Sequence, residues 1–355
     1  MSQIVNLTDY EVAPLVNTGI DGRWQAIAIV KATYIWDASG RCTLVEPLPV
    51  LLAEEFAGPP ASSGLLRASE LSPAKPKVDV LLAGALAFPQ PITQIDVELS
   101  VGSRLVKRAR VFGDRAWLPG VVADLTPSQP RPVTRVPIAW ERCFGGADPA
   151  DTKCLEPRNP AGSGVAKDPK TLHGKPAPNF EDPNNLLPVH VGKPAPVGFG
   201  PIAAHWQQRL LLAGTYDEAW QNQRRPLPPA DFSPEYFNVA SADQQLDGYR
   251  PGEELRLANM TIAINDRIDR IRLPELKVPV TFISDEMTEE VAIVDTVIVE
   301  PEERRLSLLA RAQTALNEGP LSLARMVVGD ITEGMRKAIE NNKAYPWERK
   351  RRKVA

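Results

Sequence analysis

The residues able to do chemistry are few and are not spaced for it. Histidine occurs three times, at His173, His190 and His205, and none has a second ligand at a recognised metal spacing. They read as loop or surface residues. Cys42, Cys143 and Cys154 form an odd set without a close pair, which fits a reducing compartment better than a disulfide framework. Glu141, Asp148 and Asp151 lie near one another, but acid–base catalysis needs a cleft and a perturbed partner. Structural pairing with Arg142 or Arg135 is the simpler expectation. Gly162, Ser163 and Gly164 look like a fragment of a nucleophile elbow, yet no strand precedes them and no helix follows, so they read as a turn. Asp114 and Arg115 beside Trp117 are expected to form a salt bridge at a hairpin end. No catalytic residue, metal site or cofactor is assigned on this basis.

The densest stretch is structural in character. Trp140, Glu141, Arg142, Cys143, Phe144, Gly145 and Gly146 put two large aromatics, a Glu-Arg pair and a double glycine into seven residues. Trp140 and Phe144 are expected to be buried and Arg142 to be paired, with the segment joining two β regions. The glycines permit positive φ or a close backbone approach. Phe199 and Trp206, further on, are the other aromatics singled out: either core beneath long loops or part of a partner-binding surface.

The elements around these residues must be short. Proline numbers 35 in 355 residues, about twice the usual ~5%, and excludes long helices through most of the chain. A hydrophobic content of 43% with interspersed aromatics favours order over disorder. The formal charge of -3 gives no global footprint for nucleic acid, and no run of ~20 apolar residues marks a membrane span. The start of the chain lacks the basic and apolar regions of a signal peptide, so a cytoplasmic location is expected. The basic cluster at residues 349–353 reads as a solvated tail.

The expected class is mainly β: antiparallel, sandwich-like units with long proline-rich loops and a C-terminal helix. Residues 1–120 form an N-terminal β unit. Residues 25–36 and 41–46 make a hairpin across a turn, 77–87 are one apolar run, and 95–101 alternate as a half-buried strand leading into 104–112. Residues 121–235 are an irregular, proline- and aromatic-rich connecting region, with short helical turns at 202–208 and 215–224. Residues 236–315 form a C-terminal β unit with strands at 254–260, 261–264, 267–273, 278–284 and 291–299. Residues 303–315 favour a last strand over a helix. In residues 316–355, a helix and a basic tail, the helix is placed at 321–341, where Leu323, Met326, Val327, Ile331, Met335 and Ile339 recur at spacings of three to five.

An ordered series of motifs carries a resemblance. It runs through residues 112–117 (Phe-Gly-Asp-Arg-Ala-Trp), 137–146, 159–164, 178–181, 196–201 (Pro-Val-Gly-Phe-Gly-Pro), 213–217, Trp220, 227–232, and Asp243 with Gln244. The series resembles a bacterial family of effector adaptors or chaperones associated with type VI secretion, and covers about residues 1–310. The resemblance implies a non-enzymatic protein that binds a toxic effector and helps load it onto the spike tip, with the effector and the spike-tip protein as partners. The C-terminal helix and basic tail depart from that pattern. Two other classes stay open: a carbohydrate-active or carbohydrate-binding β-sandwich whose aromatic middle lines a sugar cleft, and a structural spike component.

Overall fold

A computed structural model describes residues 3–120, 125–148, 150–187, 194–262 and 268–341. Strand far exceeds helix, 43% against 10%, as the proline density requires. The larger sheet runs in the order Gln3–Asn6, Arg325–Val328, Val278–Ile283, Met287–Glu300, Arg305–Leu316, Trp24–Trp36, Glu11–Thr18. Val78–Leu82 joins it parallel to the second half of Met287–Glu300. A bulge between Val294 and Thr296 separates the two halves of that long strand. The smaller sheet is Phe180–Glu181, Leu105–Phe112, Gln94–Val101, Glu254–Ala258, Ile268–Arg272.

Side-chain alternation decides which faces meet. Along Trp24–Trp36, Ala26, Ala28, Val30, Ala32, Tyr34 and Trp36 point into the main core. From the smaller sheet Val97, Leu99, Val101, Leu105, Ala109, Val111, Leu255 and Leu257 point back at them. The two sheets thus close face to face as a sandwich. Both sheets combine strands from residues 1–120 with strands from 236–315: Trp24–Trp36 pairs with Arg305–Leu316, and Gln94–Val101 with Glu254–Ala258. Neither stretch completes a sheet without the other.

Local departures from the sequence reading have identifiable causes. The apolar run 77–87 is two strands, because Gly84 takes φ +80° between Val78–Leu82 and Ala85–Ile92. The helix expected at 321–341 is confined to Glu333–Glu340, capped by Thr332. The earlier part is the strand Arg325–Val328, parallel to Gln3–Asn6, and Gly329 at φ +106° ends it. Thr261 and Ile262 lie in no strand, and 263–264 fall outside the described residues. Ser163–Gly164 is a short strand parallel to Phe144–Gly145 instead of a free turn. The Arg305–Leu316 and Gln94–Val101 strands stand where the alternation placed them. The helical turns become the helices Gln207–Leu210 and Glu218–Gln223, the second capped by Asp217. The basic cluster at 349–353 lies outside the described residues.

Candidate functional site

The Trp140 segment is a junction between two hydrophobic clusters. Trp140–Arg142 makes one turn of 3-10 helix, which sends successive side chains in different directions. Trp140 enters the main core, 3% exposed; its indole Nε1 donates to the Pro201 carbonyl at 2.7 Å, and its ring meets that of Trp206 edge-on at 5.5 Å. Glu141 turns the other way and accepts the Gly64 amide at 2.6 Å. The Arg142 guanidinium donates to Asp114 at 2.8 Å and to the Asn179 side chain at 3.0 Å. Phe144 drops into a second cluster with Trp117, Leu125, Leu172, Ala177 and Leu187.

The double glycine is required by approach and by backbone sign. Gly145 and Gly146 have φ +146° and +98°. A Cβ at Gly145 would collide with the Asn159 carbonyl, and one at Gly146 with the Gly162 carbonyl. Asn159, fully buried, staples the turn: its Nδ2 donates to the carbonyls of Trp140 and Phe144, both at 2.9 Å, and its own carbonyl accepts from the Gly146 amide at 2.8 Å.

Phe199 and Trp206, each 1% exposed, are core residues and not part of any surface a partner can touch. Gly198 brings its backbone against the Trp140 ring, and Phe199 packs edge-on against Phe180 at 6.2 Å. Trp140, Cys143, Phe180 and Phe199 close on one another without room for a water, so they do not line an open groove. Cys143 is buried and its thiol is pushed far above the usual range by that burial, which removes it as a nucleophile at neutral pH.

Charged residues in this region are anchors. Lys107 points inward from its strand and donates to Ser241, Asp243 and Gln244, each at 2.9 Å, with the Phe199 ring beneath it. Burial holds its pKa below the ordinary lysine value, with Asp243 opposing the shift. Gln244 donates to the carbonyls of Val80 and Phe199. Arg115 pairs with Glu181, not with Asp114, and stacks on Phe112 at 3.7 Å. The sequence reading had Arg115 with its neighbour, but adjacent strand residues point to opposite faces. Asp148 accepts the amides of Ala150 and Lys167, while Arg135 binds Glu302, so the Glu141, Asp148 and Asp151 cluster does not pair with Arg135 or Arg142. Asp151 meets Lys167 instead.

His173 and His205 are exposed, and His190 lies outside the described residues. Among the described residues no group of three or more His, Cys, Asp or Glu could hold a metal ion, and no helix is long and apolar enough to cross a membrane. Sequence reasoning missed Asn159, Lys107 and the Arg115–Glu181 pair as the fasteners of the site. Asn159 and Glu181 were visible only as members of the motif series.

No curated protein and no solved structure matches the chain. A family model does match, over residues 21–311, a span that takes in the Trp140 junction, the Asn159 staple, the smaller sheet and the central strands of the larger one. The chain belongs to DUF2169, a family described as an uncharacterized protein conserved in bacteria.

Proposed function

We propose that this chain is a non-enzymatic adaptor that binds a type VI secretion effector in the cytoplasm and aids its loading onto the spike. One observation carries the reading: an apolar shelf held outward on a tied-down loop segment. Leu210, Leu211 and Tyr216 are 57%, 76% and 58% exposed. Between the leucines and the core sits Arg209, buried, donating to the carbonyls of Ile202 at 2.9 Å and Tyr236 at 3.0 Å and stacking on the Tyr236 ring. Beyond the shelf, Thr215 is bound to Asp231 by its amide at 2.9 Å and its hydroxyl at 2.7 Å. Tyr216 rests on Trp220 with ring centroids 4.7 Å apart, and Trp220 donates to the Leu227 carbonyl at 2.8 Å.

Large apolar side chains grouped on a surface favour a protein partner, and anchoring them in advance lowers the ordering cost of binding. A toxin domain awaiting secretion has apolar surface of its own to cover. The ordered motif series supplies the rest of the reading.

The test is co-expression with a toxin encoded beside the gene. The wild-type chain is expected to raise soluble toxin and co-purify with it at fixed stoichiometry. Leu210→Asp with Leu211→Asp is expected to lose co-purification while melting within about 0.5 kcal/mol of wild type, as surface changes do. A double variant that still co-purifies moves the docking surface elsewhere. A wild-type chain that neither raises nor binds the toxin ends the adaptor reading.

A further inference from the structure

Part of the second face of the larger sheet is covered, with Ile27, Ile29 and Leu309 buried there. Residues 48–70 cross over it, and a cavity of about 210 Å3 lies between sheet and cover. Native interiors are close-packed, with few voids larger than a water, so a space this size is conspicuous. Leu81, Ile298 and Leu309 form its apolar floor, and Leu48, Leu51 and Leu66 its cover. Its mouth lies at Glu55, Leu66 and Arg67, whose side chains reach solvent.

The charges around it are matched to one another. Lys31 binds both oxygens of Glu70, at 2.6 and 2.9 Å, and the Pro49 carbonyl at 3.0 Å. Lys75 meets Asp79 at 2.8 Å, Arg311 binds Asp295, and Glu300 is shared by Arg67 and Arg305. An entering ion would have to break one of these buried pairs, at a large cost in desolvation. Water filling the space would need two to four polar partners per molecule; the charged groups are engaged with one another, and the Ser69, Thr296 and Ser307 hydroxyls that also line it bond to the Leu52 carbonyl, Asp295 and Thr33. An apolar cavity of roughly 150 Å3 takes up benzene, which sets the scale for this one.

We infer that the cavity is a binding site for a neutral apolar group of about phenyl size, entering past Leu66 and Arg67. The inference is independent of the adaptor reading. The group can be a free aromatic or branched hydrocarbon-like molecule, or a side chain of a bound protein; the chemistry recognised is the same.

The experiment uses the full chain with toluene as the neutral probe and benzoate and benzylamine as charged ones of the same shape. Toluene is expected to raise Tm with concentration and to shift the methyl resonances of Leu81, Ile298 and Leu309, with a Kd on the order of 1 mM or tighter. The charged probes are expected to do neither. Ala68→Phe, which places a ring on the cavity wall, is expected to weaken toluene binding roughly tenfold or more. Equal binding of benzoate and toluene, or wild-type methyl resonances that toluene leaves unmoved, would overturn the inference even if the variant does not fold. Mass spectrometry of organic extracts from protein purified from its own host separates the sources. A co-purifying neutral aromatic identifies a free ligand; toluene binding by a chain that carries none points to a protein side chain.

Discussion

Replacing Trp140 with alanine tests whether the central motif is a structural junction, and the packing around it lets the expected size be worked out. The indole is 3% exposed, so truncation leaves a cavity and loses its transfer free energy, together about 3–5 kcal/mol. That is about a fifth or more of a typical total stability of ~5–15 kcal/mol. Trp140→Phe keeps most of the ring but orphans the Pro201 carbonyl, a loss of about 1–3 kcal/mol. Gly198→Ala attacks the same contact from the other side. Its Cβ would stand 2.7–2.8 Å from three atoms of the Trp140 ring, an overpacking worth about 1–3 kcal/mol. Alanine at both positions removes the clash as well as the ring, so the double variant should be more stable than the sum of the singles by roughly the Gly198→Ala loss. Equilibrium urea unfolding of wild type, Trp140→Ala, Gly198→Ala and the double variant, read at constant m-value, measures the coupling. Additivity within about 0.5 kcal/mol would refute the junction as described, because it would mean that Gly198 and Trp140 do not touch.

Three further outcomes are expected. Gly145→Ala should lose about 3 kcal/mol or more through its φ and its clash with the Asn159 carbonyl, whereas Gly84→Ala, with φ +80° but open space around it, should lose only about 1–2 kcal/mol in the same urea assay. Glu181→Gln leaves the Arg115 guanidinium buried without its counter-charge and should lower stability by about 3–5 kcal/mol by calorimetry; adding Arg115→Met should recover part of that loss. Arg104, Arg110 and Arg135 hold Glu253, Asp96 and Glu302 below their ordinary values of 4.5, 3.8 and 4.5. Because these folded-state pKa values are depressed, the stabilisation is present above those values and is lost as pH falls through and below them. Arg104→Gln should therefore flatten the decline in Tm measured from neutral pH down to about pH 3.

The parts of the fold legible in the chain were those with local periodicity. Ile95 to Val101 alternate because one face is core, and the run ending at Trp36 is rich in the β-branched and aromatic residues that favour strands. The strand Arg325–Val328 was not legible, since Met326, Val327 and Val328 also fit a helical stripe. What makes them a strand is a partner some 320 residues away at Gln3–Asn6, together with Val278–Ile283. The middle of the chain shows a different limit. Asn159, Asn179 and Gln244 have the composition of loop surface, yet they are buried and use their amides to hold backbone carbonyls of neighbouring strands and turns. Such fasteners have no period. Trp140 and Phe144 could be recognised as buried, but that they serve two different clusters follows from the one-turn 3-10 segment between them, which spacing alone does not reveal.

The pairing of an early strand with a late one at the centre of the larger sheet has a consequence for how the protein is made. During vectorial synthesis, Trp24–Trp36 emerges from the ribosome about 280 residues before Arg305–Leu316, the neighbour on which it depends along its whole length. At ~5–20 residues per second this strand waits roughly 15–60 s with one edge open. For that interval Glu11–Thr18 and Cys42–Leu44 are the sheet partners close to it in sequence. The nascent chain carries that unpaired edge until its last strands appear, and a premature stop after residue 300 would release a sheet in which both Trp24–Trp36 and Met287–Glu300 lack the strand that joins them.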